Sequence, residues 1–114
     1  MKIEWIKCLM QSRCRLNMVN LDNTHFDNLT GVYLIWQGED KRNVIKVGKG
    51  LIREKLAAMR IDKKVQEFGP DLFVTWGEVS PDKLNGVEAY LFKEFHPIIQ
   101  EELNGTETIS VNLP

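Results

Sequence analysis

The chain has 114 residues, enough for one domain with a single modest core. Hydrophobic residues make 43% and charged residues 27%, the ordinary mix of a soluble globular protein, and no apolar run approaches the ~20 residues a membrane span needs, so no membrane partner is expected. The formal net charge of −1 hides a segregation: from Lys41 to Lys64 there are nine basic residues against two acids, Glu54 and Asp62. A one-sign run of this kind suits a polyanion, most simply nucleic acid, although a solvated helix face is the plainer reading of a charge run.

In chain order, Lys2 to Met10 is apolar with scattered charge and reads as either a short strand or a helical turn. Cys8 and Cys14 match no zinc or redox spacing, which predicts free thiols and a cytoplasmic protein. Arg15 to Val19 suits a brief strand. Asn20 to Thr30, rich in Asn, Asp and Thr, reads as a loop with one helical turn around His25 to Leu29. His25 has no His, Cys or carboxylate at ligand spacing and is read as a surface or packing residue.

Gly31 to Gln37 is rich in β-branched and aromatic residues and predicts a strand. Its alternation sends Val32, Leu34 and Trp36 to one face and Tyr33, Ile35 and Gln37 to the other. A polar loop opening at Gly38 leads to a second strand, Val44 to Val47, which ends at Gly48-Lys49-Gly50. Ile52, Leu56 and Met59 then recur at helical spacing, with the helix closing near Arg60 or running on to Phe68 before Gly69-Pro70. Leu72 to Val79 is a third strand. Ser80-Pro81 starts a further helix, with Ser80 as N-cap, that ends near Phe95 before Pro97. Asn104-Gly105 signals a turn, and Thr108 to Val111 a short extended tail. The order β-β-α-β-α predicts an α+β domain, a small three-stranded antiparallel sheet flanked by helices in a two-layer sandwich. Residues 1–30 form an N-terminal segment packed on the domain of residues 31–114.

Within the last helix Leu84, Val87, Leu91, Phe92 and Phe95 form an apolar stripe, and Glu88 falls inside it. An unpaired buried carboxylate costs several kcal/mol. Glu88 therefore needs a cation from the protein, a metal or an open cleft, unless it lies at a solvated margin of the stripe.

These residues resemble the GIY-YIG nuclease superfamily. Gly31-Val32-Tyr33 matches the first motif of that family, and Lys46-Val47-Gly48-Lys49 stands where its Tyr-Val-Gly-Lys would be. Glu88 with Pro97 matches its Glu helix and the proline that follows, and the closing Val111-Asn112-Leu113-Pro114 offers its Asn. The resemblance covers roughly Gly31 to Pro114. It implies metal-dependent hydrolysis of phosphodiesters in DNA, with Mg2+ or Mn2+ held by Glu88 and Tyr33 activating water. Lys46, Arg53, Lys55 and Asn112 would complete the catalytic set, with Lys41, Arg42, Lys49, Arg60, Lys63 and Lys64 binding nucleic acid. Two positions depart from the pattern: Lys46 replaces the second tyrosine and Lys55 the helix arginine. A lysine neutralises phosphate as a point charge without arginine's planar fork. The alternative is a catalytically degenerate GIY-YIG fold that binds nucleic acid or another protein. The catalytic reading requires Tyr33, Lys46, Lys55 or Arg53, Glu88 and Asn112 to converge on one concave face.

Overall fold

A computed structural model describes residues 1–8, 14–38, 43–100 and 105–114. Its elements are β1 (Cys14–Arg15), β2 (Thr30–Gln37), β3 (Val44–Leu51), α1 (Ile52–Ile61), α2 (Lys63–Gln66), β4 (Leu72–Glu78) and α3 (Leu84–Phe95). Single 3-10 turns precede β2, at Thr24–Phe26, and α3, at Pro81–Lys83. Among the described residues no helix is long and apolar enough to cross a membrane.

The α+β class is as expected, but the sheet has four strands rather than three, in the order β1-β4-β2-β3 with every pair antiparallel. The added strand is short. Cys14 and Arg15 pair with Val74 and Phe73, and the Leu16 N–H extends the ladder to the Leu72 carbonyl. The Ile6 N–H bonds the Trp76 carbonyl on the same edge. This shared edge brings Cys8 beside Cys14, and the two form a disulfide rather than the free thiols expected. Their spacing is unremarkable in sequence because the edge of β4, not a motif, brings them together.

The alternation in β2 holds, and it explains why helices cover both faces of the sheet instead of one. Tyr33 and Ile35 join Ile45, Val74 and Trp76 in a core closed by Ile52 and Leu56 of α1. Val32, Leu34 and Trp36 join Val47 and Phe73 in a second core closed by Val87, Leu91 and Phe92 of α3. A strand apolar on both sides needs cover on both sides, so the domain has three layers where two were expected. Burying a side chain such as Ile52 or Leu56 completely contributes about 1.5–3 kcal/mol. Ile3 and Val111 complete the α3-side core, and Leu16, Phe26 and Leu29 the α1-side core, so the described parts of the N-terminal segment pack into the same two cores.

The helix ends follow from local chemistry. The first amide of α1, on Ile52, donates to the Leu29 carbonyl, since Leu51 at the N-cap has no side chain that can accept. Asp62 turns extended, which ends α1, and its carboxylate accepts from Val65 N–H to start α2. Ser80 and Pro81 open a 3-10 turn, not α3 itself, which begins at Leu84. His96 closes α3 in the left-handed region, with Pro97 next.

Candidate functional site

Three consecutive residues of the edge strand β3 gather three of the candidate groups. Tyr33 pairs in register with Gly48, and its ring and hydroxyl occupy the space where a Cβ on Gly48 would sit. Lys49 reaches Glu88 of α3, with Nζ donating to Oε1 at 2.6 Å. Gly50, at φ +130°, leaves room for the Lys55 stem, whose Cε would lie 2.7 Å from an added Cβ. Without side chains at 48 and 50, strand β3 becomes a bare rail between a tyrosine and two lysines.

The groups approach this rail from opposite sides. Tyr33 belongs to the α1-side core. Lys46 lies opposite Ile35 on the same face, because a bulge between the Ile35 and Trp36 pairings makes Ile45 the extra residue. Lys46 is buried, at 9% exposure. Lys49 is two residues beyond Val47 and opposite Val32, both in the α3-side core, so it faces α3. Tyr33 and Glu88 thus flank Gly48 and Lys49 from opposite faces of the sheet and do not share one concave surface.

Glu88 is as deeply buried as its place in the stripe suggests, at 1% exposure. Of the partners open to it, the structure selects a cation from the protein. The Lys49 side chain remains 32% exposed while that of Glu88 is 2% exposed, so the lysine is the solvent-facing member of the pair. In such a site, removing one member of the pair typically costs about 3–5 kcal/mol. A divalent ion at Glu88 would have to displace this ammonium from Oε1. Among the described residues, no group of three or more His, Cys, Asp or Glu side chains is placed to hold a metal. As arranged, Glu88 and its surroundings do not fit a resident Mg2+ or Mn2+.

Other expected site residues have structural partners. Asn112 bonds the backbone of Ile3 through both ends of its side-chain amide, at 2.6 and 2.8 Å. Arg53 donates from Nε to the Leu21 carbonyl at 2.7 Å, and from Nη2 to the Asn23 carbonyl at 2.9 Å and to Asp27 Oδ1 at 2.8 Å. Arg60, two turns on, donates to the carbonyls of Leu16 and Val19. Both guanidinium groups fasten the N-terminal segment to α1, Arg60 through carbonyls and Arg53 through carbonyls and an ion pair with Asp27. Lys55, Lys63 and Lys64 are exposed. Lys41 and Arg42 lie outside the described residues, as does Asn104 of the expected turn.

Sequence reasoning placed Lys49 in the basic patch and missed it as the partner of Glu88. The signal available was its period-two relation to Val47, which puts it on the face that α3 must cover. His25 is a packing residue: its Nε2 accepts from the Trp76 indole N–H at 3.0 Å, and its ring stands edge-on to Phe26. Two cavities of about 450 and 430 Å3 share Ile6, His25 and Trp76 as walls, and neither is lined by any of the expected site residues. No family model, curated protein or solved structure matches the chain.

Proposed function

We propose that this domain binds nucleic acid, most simply DNA, through the cations of α1 and α2 and the neighbouring edge of β3, as a GIY-YIG-like fold whose catalytic site has been converted to a binding site. The observation that carries this reading is the placement of Lys55, Lys63 and Lys64. All three are exposed on consecutive helices, and Lys55 lies against the Gly48–Gly50 rail. Arg60 adds positive potential beneath them while its donors hold backbone carbonyls, whereas the charge of Arg53 is paired with Asp27. Ammonium groups of this kind neutralise phosphates without reading sequence, so affinity falls steeply as salt rises. The Lys49–Glu88 pair supports binding over cleavage, because the carboxylate the resemblance assigns to a metal already has a cation.

The test is a fluorescence-anisotropy titration of single-stranded, duplex and branched DNA and of RNA across a salt series. Lys63→Ala and Lys64→Ala should each weaken binding and lower the salt slope by about one. Lys93→Ala, on the exposed face of α3, should change neither. Absence of binding at low salt removes the reading.

A second reading is phosphodiester hydrolysis, which the family resemblance implies and which the placement of Tyr33 and Glu88 on opposite faces of β3 weakens. The same titrated substrates, incubated with Mg2+ or Mn2+, separate the two. Cleavage that disappears in both Tyr33→Phe and Glu88→Gln supports hydrolysis, and cleavage that survives them places the activity elsewhere. If an ancestral site has eroded, Lys46→Tyr with Lys55→Arg should raise cleavage. The cytoplasmic location expected from the sequence is part of this reading, and the Cys8–Cys14 bond weighs against it, because disulfides persist mainly in oxidising compartments.

A further inference from the structure

The cavity of about 430 Å3 takes its apolar walls from Ile6, Val19, Phe26 and Trp76, all part of the α1-side core or packed on it. Its polar lining is Lys7, Asn20, Asn23 and His25, and no carboxylate among the described residues lines it. Three of these side chains already use an acceptor inside the protein. Asn20 Oδ1 accepts from Asp22 N–H at 3.1 Å, and Asn23 Oδ1 from His25 N–H at 2.8 Å. A backbone amide only donates, so each Asn side chain is oriented by its oxygen and has its NH2 left over. The Trp76 indole N–H also only donates, so His25 Nε2 accepts it at 3.0 Å and Nδ1 carries the imidazole proton. Lys7 has donors alone. Among the described residues no protein group takes up these four sets of donors. We infer that this cavity is a binding site for a small apolar anion, an aryl or alkyl group carrying one carboxylate. The apolar walls take the body of the ligand, and the donors of Lys7, Asn20, Asn23 and His25 take its carboxylate. This site is separate from the nucleic-acid surface and does not rest on it.

The size and the charge both bear on the choice of ligand. A volume of about 430 Å3 lies within the range of small-molecule sites, which are mostly apolar with a few placed polar groups. Hydrogen bonds to a charged acceptor are roughly twice as strong as neutral ones, so a donor-only lining favours a carboxylate over an amide or alcohol. The cavity of about 450 Å3 that shares Ile6, His25 and Trp76 has the opposite character. Glu4, Asp27 and Glu78 line it against one cation, Lys2, so it repels an anion. The two cavities therefore sort ligands by charge, with His25 and Trp76 as their common wall.

The test titrates three probes of one shape, naphthoate, neutral naphthamide and cationic naphthylmethylammonium, into isotope-labelled protein followed by amide and indole NMR signals. Naphthoate should move the Trp76 indole N–H and the amides of residues 18–23, with a Kd on the order of 0.1 mM. The indole signals of Trp5, bonded to the Asn112 carbonyl, and of Trp36, in the α3-side core, should stay in place. Naphthamide should bind about tenfold more weakly, and the ammonium should leave residues 18–23 unmoved. The paired variant Asn20→Asp/Asn23→Asp keeps both acceptors for the backbone but replaces the donors with negative charge. It should weaken naphthoate by about tenfold or more while naphthamide changes little. If that variant does not fold, Lys7→Glu, at an exposed position outside both turns, makes the same test with the same expectation. Equal affinity of the three probes at residues 18–23 would overturn the inference, since it would show apolar adhesion without recognition of charge. So would an undiminished naphthoate affinity in the folded variant, or no response of wild type at about twenty times the expected Kd. No DNA is present in these titrations, so their failure is distinct from failure of the nucleic-acid reading.

Discussion

Asn112 treats Ile3 as a strand neighbour would: its Oδ1 accepts from Ile3 N–H at 2.6 Å and its Nδ2 donates to the Ile3 carbonyl at 2.8 Å. Its own carbonyl accepts from the Trp5 indole at 2.8 Å. One side chain thereby ties the C-terminal tail to the N-terminal segment, holding Ile3 against the α3-side core beside Val111. Asn112→Asp keeps the acceptor but removes the donor, and should lower stability by about 1–2 kcal/mol. Asn112→Ala removes both and should cost about 2–3 kcal/mol, measured by chemical denaturation. DNA affinity of the folded variants should be unchanged. A variant of normal stability with lost activity on DNA would return Asn112 to the site the family resemblance suggests.

The reach of sequence reasoning follows the distance over which each relationship acts. The double face of β2 and the helical stripe are local, set by periods of two and 3.6 residues, and they stand as read, whereas the stripe left Glu88 open between burial and a solvated margin, and the fold buries it. The Lys49–Glu88 pair joins residues 39 apart and depends on which way Lys49 faces after the Ile45 bulge. The Asn112–Ile3 bonds join residues 109 apart, and no pattern in either segment announces them. The same holds for β1, whose two residues are a strand only because the edge of β4 is open to them. The basic run was legible as charge, but its division into clamping arginines and exposed lysines came from the carbonyls of residues 16–23, which carry no side-chain signal.

Arg53 and Arg60 hold those carbonyls with forked donors that lysine cannot reproduce. Arg60→Lys preserves the charge and should still lower stability by about 1–2 kcal/mol. Arg53→Lys should act similarly, with the Asp27 contact at 2.8 Å partly retained. Hydrogen exchange should quicken over residues 16–27 in both variants while the amides of β2 stay protected. If salt-dependent DNA binding collapses with no change in exchange, the guanidinium groups contact phosphate rather than the N-terminal segment.

The Cys8–Cys14 bond closes a short loop, with a sequence separation of six, at the edge of β4. Loop-closure entropy for a ring of this size gives a stabilisation of about 2 kcal/mol. The paired variant Cys8→Ser/Cys14→Ser should therefore fold but melt several degrees lower, and dithiothreitol should lower the wild-type Tm to about the same value. A Tm unaffected by dithiothreitol, in protein whose thiols are shown to have been reduced, would mean that the β4 edge holds the segment without the bond.

Gly48 and Gly50 look alike in sequence but serve different purposes, which separates their predicted costs. At Gly48 a Cβ would overlap the ring of Tyr33, which is 2% exposed and packed in the α1-side core. A buried ring cannot shift freely, so Gly48→Ala should cost about 2–4 kcal/mol. Truncating the ring should relieve the clash: in a Tyr33→Ala background the cost should fall by about 1–3 kcal/mol, read as a double-mutant coupling energy. At Gly50 the nearest atom is Cε of an exposed lysine, which can swing aside, and the barrier is the backbone at φ +130°. Gly50→Ala should cost about 1–3 kcal/mol from that conformation alone. Lys55→Ala should then give no rescue, so Gly50 and Lys55 should be additive where Gly48 and Tyr33 are coupled. Additivity at Gly48 would mean that the Tyr33 ring does not lie across the rail, and the proposed arrangement of β3 would lose its tyrosine.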